Sequence, residues 1–276
     1  MKGIYKMVEK IVVIGDIHAD YETLILILKK ADIINDKLEW IGGKTYLVMI
    51  GDLVDGKARI DNWKGDSDLK VINFLAKLIK KAKDNEGNVI ILLGNHEFMN
   101  IRGNFSYSGE HGIKEMGGEL KRLKYFNNQF RAFAMKCFLT VNIGGWVFCH
   151  AGIPPEISKK YPIPKLNAML QKFLSNEMNL HEENIFFDII SGENGILTTR
   201  EFGTNEVNCK RLLSSLDNLK SKFMVIGHTV QEKVNGVCNK KLWRVDVGLS
   251  RAFGNSNRKK IGFLVIYDYG KKMKIF

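Results

Sequence analysis

Short apolar runs alternate with helix-period stretches through the first hundred residues. Lys10-Ile11-Val12-Val13-Ile14 predicts a buried strand that stops at Gly15. Leu24, Ile27, Leu28 and Ala31 then recur at helical spacing, so a helix is expected over 21–30 with Asp20 as its N-cap. Strands are expected over 38–41 and 46–50, turning at Gly42-Gly43. Asp66 or Ser67 can cap a helix running to Lys83, with Leu69, Ile72, Leu75, Ala76 and Ile79 as its apolar stripe. Val89-Ile90-Ile91-Leu92-Leu93 reads as another buried strand. This strand, loop and helix alternation is that of an α/β chain.

Beyond it the pattern loosens. Residues 98–128 are rich in Gly, Asn and charge and read as surface loop with a short helix. Residues 129–136 read as helical, and strands over 138–143 and 146–149 flank the hairpin signal Gly144-Gly145. All four prolines (Pro154, Pro155, Pro162, Pro164) fall in the next stretch, which is expected to be extended. Helices over 165–176, 182–190 and 210–219, then strands over 223–226, 242–247 and 261–267, complete the chain. There is no repeat, low-complexity segment or clear linker, so one domain over 1–276 is expected, with substrate-loop insertions at 98–128 and 154–200.

Composition narrows the class. The hydrophobic fraction is 45% and the charged fraction 26%, both ordinary for a globular protein. No apolar run is long enough for a membrane span, and Met1–Lys6 lacks the apolar region of a secretory signal. Cys137, Cys149, Cys209 and Cys238 are scattered, as expected of reduced thiols in a soluble, intracellular (cytoplasmic) protein. The net charge of +12 favours anionic partners. The basic clusters carry no interleaved aromatics, so nucleic acid is not the expected partner and solvated faces are the plainer reading.

The chemistry lies where the strands end. Asp16 and His18, Asp52 and Asp55, Asn95 and His96, His150, and His228 each follow an apolar run. Four of the six histidines fall there, and only His111 and His181 do not. Asp, Asn and His form an oxygen and nitrogen donor set that suits Mn, Fe or Zn without thiolate. Two such ions about 3.5–4 Å apart can activate a water and clamp the oxygens of an in-line phosphoryl displacement. Plainer readings stand beside this one. Asp16 and Asp52 could cap turns, Asn95 could be a turn residue, and His150 could bond backbone. Asp246 could support the site or bond the turn toward Gly248. Arg200 could pair with Glu201.

Gly15-Asp16-Ile17-His18, Gly51-Asp52-Leu53-Val54-Asp55, Gly94-Asn95-His96-Glu97, His150-Ala151-Gly152 and Gly227-His228-Thr229, in that order, resemble the calcineurin-like metallophosphoesterases. Gly-Asn-His-Glu is similar to the phosphoprotein phosphatase branch. Leu197-Thr198-Thr199-Arg200-Glu201 and Trp243–Ser250 most resemble the Shewanella-like protein phosphatases. The resemblance implies an α/β fold in four layers, a β-sandwich flanked by helices (α/β/β/α), with two divalent ions at the strand ends. It implies that Asp16 and His18 bind one ion, Asp52 bridges both, and Asn95, His150 and His228 bind the other. It implies that His96 protonates the leaving group, oriented by Asp55, and that Arg200 grips the phosphate.

The implied activity is hydrolysis of phosphomonoesters, most of all on phospho-Ser/Thr or phospho-Tyr of proteins. The lack of a second histidine after His228 favours a monoesterase over a nuclease, and Glu97 differs from the Asp usual in dinucleotide polyphosphate hydrolases. The alternatives are a small-molecule phosphohydrolase acting on dinucleoside polyphosphates and a phosphate-binding pseudophosphatase. One departure supports the last. Gly56 stands where the family usually has an arginine, and Arg59 and Arg102 are the nearest candidates to replace it.

Overall fold

The structure is a computed structural model and describes residues 3–60, 63 and 67–276. In chain order its elements begin with β1 (Ile4–Tyr5), β2 (Lys10–Ile14), α1 (Tyr21–Lys30), β3 (Tyr46–Met49), α2 (Asp68–Lys83), β4 (Asn88–Ile91) and α3 (Asn95–Ile101). A helical segment follows: α4 (Gly109–Glu115), α5 (Glu119–Tyr125), a π-helical turn (Phe126–Phe130) and α6 (Arg131–Ala134). Next come β5 (Thr140–Ile143), β6 (Trp146–Cys149), α7 (Pro155–Lys160), α8 (Ile163–Leu174), α9 (Leu180–Ser191) and α10 (Cys209–Asn218). The chain closes with β7 (Phe223–Ile226), β8 (Asn235–Val237), β9 (Leu242–Arg244), a 3-10 turn (Arg251–Phe253), β10 (Leu264–Tyr267) and β11 (Lys272–Ile275).

Among the described residues the strands form two sheets flanked by helices, ordered β1-β5-β6-β7-β9-β8 and β11-β10-β2-β3-β4. Strands β2, β3 and β4 are parallel, with Ile11 beside Tyr46 and Tyr46 beside Asn88. Their C-terminal ends therefore share one edge, where an α/β sheet gathers ligands. In the other sheet β6 and β7 are parallel and end at His150 and His228 in the same way. The two edges meet. Phe138 N–H donates to Ile91 O at 2.9 Å, and Leu93 N–H donates to Phe138 O at 2.9 Å. One apolar core runs through both sheets, from Ile11–Ile14 and Leu47–Ile50 to Val147, Phe148, Val225 and Val245.

Most expected elements are present with small shifts of boundary, and the exceptions are informative. Residues 38–41 form no strand; only Trp40 makes an isolated bridge, with Ile34. Ser67 caps α2, its Oγ accepting from Lys70 N–H at 3.0 Å, while Asp66 lies outside the described residues. The buried stripe of α2 is Val71, Ile72, Leu75, Leu78 and Ala82, whereas Ala76 faces solvent. Asp68, in the first turn of α2, is buried on the same side, its Oδ2 2.6 Å from Arg122 Nη1.

Segment 98–128 is mostly helical rather than loop, and Phe98, Ile101, Ser108, Arg122 and Phe126 within it are buried. The proline stretch is not simply extended. Pro154 and Pro162 are extended N-caps, but Pro155 and Pro164 sit in the first turns of α7 and α8, where a missing N–H costs nothing. Strands β1, β8 and β11 had no signal in the pattern.

The cysteines need a correction. Cys137 and Cys149 are buried thiols, but Cys209 and Cys238 form a disulfide, with Cα atoms 5.4 Å apart. The start of α10 packs beside the β8–β9 turn, an adjacency that a spacing of 29 residues does not announce. No helix among the described residues is long and apolar enough to cross a membrane.

Candidate metal centre

Each strand end delivers its residues into one hollow. Asp52 is the hub. Its Oδ2 lies 3.3 Å from His150 Nε2, 3.8 Å from His18 Nε2 and 3.8 Å from His96 Nε2. Two groups have ligand atoms close enough to share one ion each: His18, Asp52 and His96, and Asp52, His150 and His228. Asp52 belongs to both. Asp16 lies beside them, with Oδ2 4.0 Å from His18 Nε2 and accepting from His228 N–H at 3.1 Å. Asn95 Oδ1 is 3.1 Å from His150 Nε2. His111 and His181 lie on exposed helix faces away from this cluster.

The backbone bends to make this possible. His18, Asp52, Asp55 and His228 all have left-handed φ, between 43° and 71°. Non-glycine residues adopt it at a cost of about 1–3 kcal/mol each, which tertiary contacts must hold in place. Glu97 is one such contact. Wholly buried at the start of α3, it accepts from the N–H groups of Asp52, Leu53 and Gly94 at 3.1, 2.8 and 2.7 Å. It thus fastens the β3 loop to α3. Gly94 must lack a side chain, because a Cβ there would overlap Asp52 Oδ1.

Burial and neighbouring charge set the protonation states. Burial, and then His96, bring His18 down to about 3; burial, and then His150, do the same for His228. Both are neutral imidazoles at pH 7, the form that ligates. Burial pushes Asp52 upward, but His150, His96 and His18 together hold it well below the usual carboxylate range. Burial, then the Asp246 and Asp52 carboxylates, push Asp16 well up. The buried Nδ1 of His18 has no hydrogen-bond partner. A crowd of buried oxygen and nitrogen donors, with no thiolate, fits divalent cations of the Mn, Fe and Zn kind.

Behind the cluster lies a second, saturated set. His96 Nδ1 is 2.8 Å from Asp55 Oδ2. Asp55 Oδ1 accepts from Ser108 Oγ at 2.6 Å, Asn100 Nδ2 at 2.9 Å and Arg122 Nη2 at 3.0 Å. Arg122 is 0% exposed and also donates to Asp68 Oδ2, Asn100 Oδ1 and Gly112 O at 2.6, 2.7 and 2.9 Å. Asp68 Oδ1 accepts from Asp55 N–H at 2.9 Å. Burial lowers His96, but Asp52 and Asp55 outweigh it and raise it above the usual histidine value. Sequence reasoning missed Asn100, Ser108, Arg122 and Asp68. Asn100 had one legible cue, its position one helical turn after His96.

The hollow is a cavity of about 430 Å³, lined by His18, Asp52, Asn95, His96, His228 and, around its mouth, Arg59, Tyr107, Arg200, Thr229, Val230 and Phe253. Arg200 is exposed, and its Nη1 lies 3.5 Å from Thr229 Oγ1. It does not pair with Glu201, which is held by Arg211. Asp246 accepts from Gly248 N–H at 2.9 Å, as the turn reading expects. Arg102 stacks on Phe187 at 4.2 Å in a neighbouring cavity and is not at this one.

The model of the calcineurin-like phosphoesterase family matches residues 9–232. Shewanella-like protein phosphatase 2 of Arabidopsis thaliana is 28% identical, covering 88% of this chain and 72% of its own. Shewanella-like protein phosphatase 1 of Plasmodium berghei is 29% identical, covering 94% and 72%. The crystal structure of a cold-active protein-tyrosine phosphatase from a psychrophilic Shewanella species shares the fold, with a TM-score of 0.80 at 24% identity, covering all of this chain and 82% of that one.

Proposed function

The chain belongs to the calcineurin-like phosphoesterase family, and on that premise we propose that it is a protein phosphatase that hydrolyses phospho-Ser/Thr or phospho-Tyr with two divalent ions. The family implies divalent metal ions; Mn, Fe or Zn suits this donor set. The reading takes 1–276 as one catalytic domain, supported by the apolar core common to both sheets. The observation that carries it is Asp52, a single carboxylate shared by two groups of potential ligands.

Asp16, His18 and Asp52 would hold one ion, and Asp52, Asn95, His150 and His228 the other. When bound, the ions supply a water of lowered pKa and neutralise phosphate charge. The chain's own residues do the rest. Asp55, already filled by three donors, accepts from His96 Nδ1–H, which leaves Nε2 facing the cavity. From there Nε2–H protonates the departing oxygen, and Asp55 steadies the imidazolium beforehand. Arg200, at the mouth and without a carboxylate partner among the described residues, donates to the phosphate oxygens.

The test is a panel of phosphopeptides and dinucleoside tetraphosphate assayed with Mn²⁺, Fe²⁺ and Zn²⁺ in turn. Turnover of phosphopeptides above dinucleotide is expected; the reverse preference sinks the protein-phosphatase reading. His96→Ala should lower turnover about 10²–10⁴-fold. The loss should be greater for a phosphoserine peptide than for an aryl phosphate, whose leaving group needs less protonation. Equal losses on both would remove His96 as the proton donor.

A further inference from the structure

Gly56 leaves the cavity one guanidinium short of the expected pair, and there is little room for one at that position. A Cβ on Gly56 would meet Ala19 Cβ at 3.1 Å and His18 O at 3.2 Å. Three residues on, Arg59 lines the same cavity as Asp52, His96, His228 and Arg200. Its guanidinium lies over two rings, with Cζ 4.8 Å from the Phe253 centroid and 5.2 Å from that of Tyr107. Those rings in turn pack against candidate site histidines, Phe253 against His18 at 4.9 Å and Tyr107 against His96 at 5.1 Å. The guanidinium is thereby fixed next to the cluster rather than left to swing.

The backbone is fastened on both sides. Arg59 N–H donates to Ala252 O at 2.7 Å, and Lys57 N–H to Tyr107 O at 3.0 Å. Arg59 Nη1 is committed to the carbonyls of Asp55 and Lys57. Among the described residues no carboxylate pairs with it, and Nε and Nη2 donate to no protein acceptor. A half-buried guanidinium, held against two rings, with unused donors and an anionic substrate expected in front of it, has the form of a phosphate grip. We propose that Arg59 is a second phosphate-binding residue, gripping the substrate phosphate jointly with Arg200 and replacing the arginine that Gly56 lacks. The proposal rests on the phosphatase reading above.

The experiment uses the full chain loaded with Mn²⁺ and compares wild type with Arg59→Ala, Arg59→Lys and Arg200→Ala. The readouts are the inhibition constant of inorganic phosphate, kcat and KM on a phosphopeptide, metal content and thermal melting. Losing a hydrogen-bonded charge contact predicts a rise in the phosphate inhibition constant on the order of 10- to 100-fold for Arg59→Ala. A similar fall in kcat/KM should accompany it, with metal content unchanged and Arg59→Lys recovering part of the loss. A merely structural role would lower melting or metal content without a selective loss of phosphate affinity. If Arg59→Ala loses its metal or fold, Arg59→Gln, which keeps the stem without the charge, is decided on the same ratio. An inhibition constant within about twofold of wild type in the folded variant overturns the proposal. If wild type turns over and only Arg200→Ala loses phosphate affinity, this proposal fails while the phosphatase reading stands. An inactive wild type with full metal content fails the reading itself.

Discussion

Asp52 and Asp55 sit three residues apart on one loop, both buried, both left-handed and both beside His96, yet their surroundings are opposite. Asp52 Oδ2 faces the Nε2 atoms of three histidines at 3.3–3.8 Å. Asp55 is filled by donors on every side: His96, Asn100, Ser108 and Arg122. A buried carboxylate oxygen ringed by histidine nitrogens has the donor set of a cation site. A carboxylate already satisfied suits a support. The difference separates the candidate metal-facing region from the region that braces it, although both grow from the same loop.

The comparison is tested most severely at Asp52. Asp52→Asn removes the shared charge of both candidate ion sites, so metal content measured by elemental analysis should fall. Turnover should drop on the order of 10³-fold or more, since the metals supply several kcal/mol of charge stabilisation. Retention of both ions would break the distinction drawn here. The next largest effect belongs to the brace. Arg122→Met leaves Asp55 and Asp68 buried without their cation, and losing one partner of a buried pair costs about 3–5 kcal/mol. Chemical denaturation should show that loss, while the folded fraction keeps its metal. If stability were unchanged, the network would be decoration rather than support.

These two regions also differ in how far the chain announced them. The convergence of Asp16, His18, Asp52, Asn95, His150 and His228 was legible because each follows an apolar strand and a turn, and parallel strands must end on one edge. Arg122 was not legible. It stands among Lys121 and Lys124 in a charged stretch, and nothing local marks it as the cation of that stretch that turns inward. Its partner Asp68 is buried with it, and nothing local marks that residue either. Segment 98–128 looked like loop because its helices are short and rich in glycine and charge; their packing against Asp55 decides the matter. Long-range pairings, Cys209 with Cys238 among them, are set by packing that no local pattern carries.

That disulfide offers a control of intermediate size, because it lies outside both regions. It closes a loop with a sequence separation of 29, for which chain entropy predicts a stabilisation of about 3.5 kcal/mol, with about 2–4 kcal/mol typical in practice. Cys209→Ser should lower the denaturation midpoint accordingly and leave metal content intact. Thiol titration gives a direct check. Burial pushes the Cys137 and Cys149 thiols up, so the native protein should show no fast-reacting thiol. Denatured without reductant it should show two, and after reduction four. Four thiols without reductant would refute the bond.

The smallest effect expected is the most discriminating. Asp55→Asn keeps the shape of the side chain and its one remaining oxygen can still accept from Asn100, Ser108 and Arg122. The amide then turns its Nδ2–H toward His96 Nδ1, which must accept rather than donate. His96 would keep a proton on Nε2 but lose the carboxylate that steadies its charged form. Turnover should fall about 10- to 100-fold, the usual cost of losing a supporting partner. Metal content should remain at the wild-type level, because Asp55 touches the cluster only through His96. A variant that lost its ions as Asp52→Asn does would place Asp55 among the ligands. A variant with undiminished turnover would show that His96 needs no orienting carboxylate. Full metal content with a partial loss of turnover is the outcome that keeps the two carboxylates in separate roles.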